Sequence, residues 1–311
     1  MSDRRVRLLE GSLLLCVLLA GCGRNPATGV VVDPAFGPLV PPDTKLLAGA
    51  RLDKLRSTPL YEKLNERFDL DRRLDLFSER TGLDLRKDVS QVLLASNGNR
   101  ALVMARGRFN VEEMEPKLGA LGTSRIKYKN YTLFGNAETS VVFLETGVAI
   151  AGPQMDLKDV LDHRADHSQL PDKFAGRLRA MPAADQVWLI SNGVFPASLL
   201  SGPDTTGMKS LLSNFVDYIQ SAQLGLHADQ GAELKGNIDC ISGDGAQRVR
   251  DALKGMVGFA RLGTRSDQTD LLKLLDTVQV SQSAAHVSLS AELPPDLVEP
   301  LLKMPLPGRM R

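Results

Sequence analysis

Apolar and polar positions alternate in short, repeated blocks along this chain. The stretch "KLLAGARL" from Lys45 to Leu52 reads as a strand. A helix follows, with Thr58 as N-cap, Pro59 at the first helical position, and Leu60, Leu64 and Phe68 on one face. A second helical face carries Leu70, Leu74 and Phe77 and stops at Thr81-Gly82. In "VLLASNGNRALVMARGRF", Asn97-Gly98 between apolar runs predicts a hairpin, because a tight primed turn needs positive φ. Asn110 and Glu113 sit at capping-box spacing before Val111, Met114, Leu118 and Leu121, with Pro116 inside that helix. Another hairpin, "TSVVFLETGVAIAG", leads to a short helix, "DLKDVLDH".

The same grammar returns in the second half. "DQVWLISN" reads as a strand, and Met208, Leu211, Leu212, Phe215 and Ile219 line a helix. "AQLGLHADQGAELKGNIDCIS" is a hairpin, and Asp244 with Gln247 open a helix carrying Val249, Leu253, Met256 and Ala260. "DTVQVSQSAAHVSLSAEL" gives a last hairpin before the helix "PPDLVEPLLKM". The turns near Gly98 and Gly231 lie 133 residues apart, and those near Gly147 and Ser283 lie 136 apart. Two landmarks with almost one offset point to an internal duplication. The expected fold class is α+β, with two similar antiparallel-sheet-plus-helix lobes over residues 44–170 and 171–311. In the last strand Val287, Leu289, Ala291 and Leu293 alternate with His286, Ser288, Ser290 and Glu292, so one sheet face should be polar and wet.

The beginning of the chain breaks this pattern. Arg4, Arg5 and Arg7 precede a mostly apolar run from Leu8 to Ala20, too short for a membrane span and suited to a signal peptide over residues 1–21. The run ends in Leu19-Ala20-Gly21-Cys22, which resembles the lipobox of bacterial lipoproteins. That resemblance implies a diacylglycerol on the Cys22 thiol, cleavage before Cys22 and acylation of the new amine. It also implies an envelope protein held at a membrane, since two or three acyl chains anchor where one is marginal. Gly23, where enteric-type sorting would use aspartate for inner-membrane retention, favours the outer membrane facing the periplasm; the outer leaflet of the cytoplasmic membrane is the alternative. Residues 22–43 hold five prolines and three glycines and read as a tether to the folded body. Further on, "ARLDKLRSTPLYEKL" resembles exported bacterial proteins with no assigned activity, which implies a fold and no chemistry.

Charge and cysteines narrow the field. Loss of residues 1–21 removes three basic and two acidic side chains and leaves 35 of each, which excludes a strongly basic nucleic-acid surface. Cys16 leaves with the signal and Cys22 is alkylated, so Cys240 has no partner for an intramolecular disulfide. In "ELKGNIDCIS" it shares a strand face with Leu234, Gly236 and Ile238, as a buried structural thiol would.

Reactive constellations are scarce. His163 and His167 stand four apart near Asp159, Asp162 and Asp166, but Arg164 occupies the place of a zincin glutamate and no third ligand can be named, so no metal is expected. No Gly-x-Ser-x-Gly elbow occurs, and "SGDGAQ" at 242–247 lacks the Lys-Ser/Thr of a phosphate loop. "SGPDTTG" at 201–207 reads as a helix-entry turn. Aromatic residues make up 5% of the chain, and Trp188 lies in an apolar strand. The chain therefore reads as no enzyme, with no cofactor. The expectation is a membrane-anchored, non-catalytic interaction or scaffolding module with an envelope protein partner. A carrier or binding protein for a lipid or other apolar ligand is the alternative.

Overall fold

The computed structural model describes residues 29–166, 168–193 and 215–304. Its first-half elements are β1 (Leu46–Arg51), α1 (Leu52–Arg56), α2 (Pro59–Phe68), α3 (Leu70–Thr81), α4 (Leu85–Asp88), β2 (Val89–Ser96), β3 (Ala101–Gly107), α5 (Val111–Ala120), β4 (Ser124–Tyr128), β5 (Tyr131–Gly135), β6 (Ser140–Leu144), β7 (Val148–Gly152) and α6 (Gln154–His163). The second half contributes α7 (Asp172–Ala180), β8 (Val187–Ser191), β9 (Ile219–Ala228), β10 (Ala232–Cys240), α8 (Gly243–Gly263), α9 (Thr269–Asp276), β11 (Gln279–Ser283), β12 (His286–Leu293) and α10 (Pro295–Lys303).

Among the described residues the strands form one antiparallel sheet of twelve, in the order β11-β12-β10-β9-β8-β1-β2-β3-β7-β6-β5-β4. Its centre is the antiparallel pair β1–β8, where Leu47 faces Ile190 and Gly49 faces Trp188. Outward from that pair the first half runs β1-β2-β3-β7-β6 and the second runs β8-β9-β10-β12-β11. One strand order is thus repeated on both sides, and the β4–β5 hairpin is an addition at one outer edge. The fold is α+β, and the two lobes share a single sheet.

Paired residues lie on one face, so the registers locate the cores. Leu47, Leu93, Trp188 and Ile190 lie on a first face together with Met104, Val142, Leu144 and Ile150 and are buried under α6 and α7. On the opposite face of the second half, Ala222, Ile238 and Val287 pack with Ala246 and Val249 of α8. Leu60 of α2 and Val298 of α10 cover Ala228 farther along that second face. The two main cores therefore sit on opposite faces of one sheet. Trp188 fits the central strands because glycines flank it: a Cβ on Gly49 would lie inside its indole.

The expected tether needs correction in the part that is described. Val30, Phe36, Leu39 and Val40 are buried in the first core, and Pro34–Leu39 forms a 3-10 turn whose Asp33 Oδ1 accepts from Ala35 N at 2.9 Å. The prolines here shape a turn that presents apolar side chains, so their number is no sign of a free linker. Several local expectations hold. Thr58 Oγ1 accepts from Tyr61 N at 3.2 Å, and Gly82 closes α3 in the left-handed region. Others shift. Asn110 makes no backbone cap and reaches Glu113 Oε2 at 3.3 Å instead; Ser242 caps α8, with Oγ accepting from Gly245 N at 3.0 Å. Ile219 begins β9, while Met208, Leu211 and Leu212 lie outside the described residues.

Candidate functional site

The first face divides into a covered and an uncovered region. Pairing carries Ile190 to Gln223 on β9, then to Asn237 on β10 and Ser288 on β12, and from there to Ser281 on β11. Asn237, Ser288, Ser281, Lys235 and His286 are all exposed. The face that holds Leu and Trp under helices from β7 to β8 becomes a polar, solvated sheet surface across β10, β12 and β11. Alternation makes this legible in the sequence: the Val287 row is buried, and the Ser288 row is wet.

At the border, α7 places Arg177 over the start of β9. Its guanidinium donates to Ser221 Oγ at 2.6 Å and to Asp239 Oδ2 at 3.1 Å. Ser221 Oγ in turn donates to Asp239 Oδ2 at 2.6 Å, and His286 Nδ1 lies 2.8 Å from Asp239 Oδ1. Burial alone would raise the Asp239 pKa. The hydrogen bonds from Ser221 and His286, with the Arg177 charge, outweigh it and hold the carboxyl below its ordinary value. The arrangement is a polar clasp. Ser221 and His286 both bind the carboxylate and are not bonded to each other, so the histidine is not placed to take the serine proton. Nothing in the sequence joins these four residues, which come from α7, β9, β10 and β12.

The residues singled out from sequence fare differently. Cys22 and His167 lie outside the described residues. His163 ends α6 exposed, with Nδ1 2.9 Å from the Asp159 carbonyl oxygen and 3.2 Å from its carboxylate; both raise its pKa. Among the described residues no group of three or more His, Cys, Asp or Glu side chains is placed to hold a metal ion. Cys240 is buried beside Val249 and Ile238, and burial, reinforced by the Asp239 charge, pushes its thiol pKa up. His227 Nδ1 lies 3.2 Å from the Ala184 carbonyl oxygen.

Elsewhere, Asp185 is buried next to Gly225, and burial raises its pKa. Arg86 gathers Asp71, Asp75 and Asp84 and ties α3 to α4; hydrogen bonding to Arg86 holds the Asp84 carboxyl down at about 2 against the cost of burial. No helix among the described residues is long and apolar enough to cross a membrane.

No protein-family profile matches the chain, and no curated protein is similar to it in sequence. Among solved structures, crystal form III of TP0453, an exported lipoprotein of Treponema, aligns with a TM-score of 0.50 at 10% identity, over 88% of this chain and 99% of that one. Crystal forms I and IV of TP0453 give TM-scores of 0.47 and 0.49 at 12% and 11% identity, over 88% of this chain and 99% and 98% of theirs. At such identities the likeness concerns the fold alone.

Proposed function

We propose that the chain is a cell-envelope lipoprotein, lipidated on Cys22, that works as a non-catalytic interaction module through the uncovered polar face of β10, β12 and β11. The observation that carries this reading is the asymmetry of the sheet. One face is packed under α6, α7 and residues 30–40 across the first-half strands and β8, and the same face is exposed and hydrogen-bond-rich across β10, β12 and β11. A broad sheet surface of Ser, Asn, Gln and Lys keeps the chain soluble when free and offers donors and acceptors to a partner. The Leu19-Ala20-Gly21-Cys22 motif supports the anchor, and the fold shared with an exported lipoprotein is compatible with it.

The anchor is tested by Cys22→Ala. The wild type should take up a fatty-acid label and stay with membranes, and the variant should do neither; a variant that remains in the membrane fraction contradicts the anchor. The module is tested by gentle purification of the full chain from native membranes and mass spectrometry of what accompanies it. A stoichiometric protein supports the reading.

One observation favours a lipid or apolar-ligand carrier as the second reading. On the helix side of the second half, Leu189, Leu224, Leu234 and Leu289 form an apolar strip that is only half-buried. Leu271, Leu272, Leu274 and Leu275 of α9 are likewise short of full burial. A stoichiometric extractable lipid, beyond the one on Cys22, would put this reading first.

A further inference from the structure

The packing of residues 30–40 decides how close a lipid on Cys22 holds the body. Val30 N donates to the Leu178 carbonyl oxygen at 2.9 Å, so the described residues begin in the roof, against the last turn of α7. Seven residues separate Cys22 from Gly29, and whatever path they take they span at most about 25 Å. A free tether as far as Asp43 would have reached about 70 Å.

This starting point lies beside the uncovered face. Arg177, the residue before Leu178, reaches Ser221 at 2.6 Å and Asp239 at 3.1 Å with its guanidinium. The exit of the chain and the border of β9 and β10 are thus little more than one arginine side chain apart. Helices α8 and α10 lie on the other face of the sheet. To bring their outer side to the bilayer, the tether would have to pass the sheet and a helix layer of about 10 Å, and round an edge as well, which exhausts its length.

The side chains of the uncovered face narrow what it meets there. Lys235 pairs with Glu233 at 2.6 Å, and His286 Nδ1 lies 2.8 Å from Asp239 Oδ1, so charges are matched within the face and leave no basic surplus for anionic headgroups. Among the described residues, the exposed large apolar side chains lie outside β10, β12 and β11, so these strands offer nothing to the acyl region. Asn237, Ser281 and Ser288 are neutral donors and acceptors of the kind that a polar protein surface pairs with.

We propose that the short tether holds the uncovered face at the headgroup level of the membrane that carries Cys22, and that its partner is a protein embedded in that same membrane. Helices α8, α9 and α10 then point away from the bilayer. This rests on the lipid anchor and the interaction face proposed above, and adds the orientation of the body and the class of partner.

The orientation is tested on the full lipidated chain in phosphatidylcholine vesicles that contain a rhodamine-headgroup lipid. A donor fluorophore is placed at Lys235→Cys on the uncovered face or at the exposed Lys254→Cys of α8. Energy transfer should be about twice as strong from position 235, because a sheet and a helix layer separate the two sites. Insertion of about fifteen Gly and Ser residues after Gly23 should remove the difference. Equal transfer without the insertion, or stronger transfer from position 254, in a chain that stays on the vesicles overturns the orientation alone. A chain that does not stay contradicts the anchor beneath it. The partner is tested by photo-crosslinking from Asn237 in native membranes. The captured protein should resist alkaline extraction from membranes of cells that lack this chain. A captured protein that alkali releases, or a lipid adduct in its place, overturns the proposed partner; no adduct at all contradicts the interaction face itself.

Discussion

Trp188 and Ser288 lie on the same face of the same sheet, yet one is 2% exposed and the other is open to solvent. Around Trp188 the face is roofed by α7 and by the Val30–Val40 segment; around Ser288 the helices α8 and α10 have gone to the other side. The strand order is repeated in the two halves, but the cover is not. Hairpins join β2 to β3, β6 to β7, β9 to β10 and β11 to β12 in both halves, whereas the choice of covered face is set by which rows carry apolar residues. Two copies of one topology can therefore hold a core at one end and a free surface at the other.

This contrast can be broken most directly at its extremes. Trp188→Ala should destabilise the protein by about 3–5 kcal/mol in urea unfolding, and Ser288→Ala should change it by less than about 0.5 kcal/mol. Similar costs at the two positions would mean that the ends do not differ as described. Phe36, which has no exposed surface, tests the roof itself. Phe36→Ala should cost about 3 kcal/mol, while a free tether would give almost nothing. Cys240→Ser probes the covered side of the second half, where a hydroxyl would lack a partner in the pocket of Ile238 and Val249; about 1–2 kcal/mol should be lost.

The clasp at the border sharpens the comparison through its pH dependence. Because the folded Asp239 carboxyl titrates below its unfolded value, its contribution is present above about pH 4 and is lost as pH falls through the folded pKa. Asp239→Asn should therefore cost about 1 kcal/mol at pH 7, with the difference from wild type shrinking toward pH 3 in parallel denaturant titrations. A constant difference across that range would show that the carboxylate charge is not what the clasp uses.

How much of this was legible in the sequence depends on range. The hairpins at Gly98, Gly147 and Gly231 and the Thr58 and Gly82 helix ends follow from residues within one turn of each other, and they appear where expected. The β4–β5 hairpin was missed because its turn, Lys129-Asn130, has no glycine; Lys129 takes the left-handed φ of 51° itself. Phe174 and Leu178 after Pro171 were a readable signal for α7. The packing of residues 30–40 was obscured by composition, since prolines that shape a tight apolar turn resemble those of a linker. Arg177, Ser221, Asp239 and His286 could not be assembled from one sequence, because only the sheet order brings β9, β10 and β12 beneath α7.

The most direct test of the interaction surface is site-specific photo-crosslinking in native membranes, with the photoreactive residue at Asn237 or Ser288 on the uncovered face and at Glu79 on α3 as a control. The account predicts that both face positions give the same discrete adduct to another protein and that Glu79 gives none. A membrane-held, folded chain with no adduct at either face position, or with the same adduct at Glu79, would contradict it.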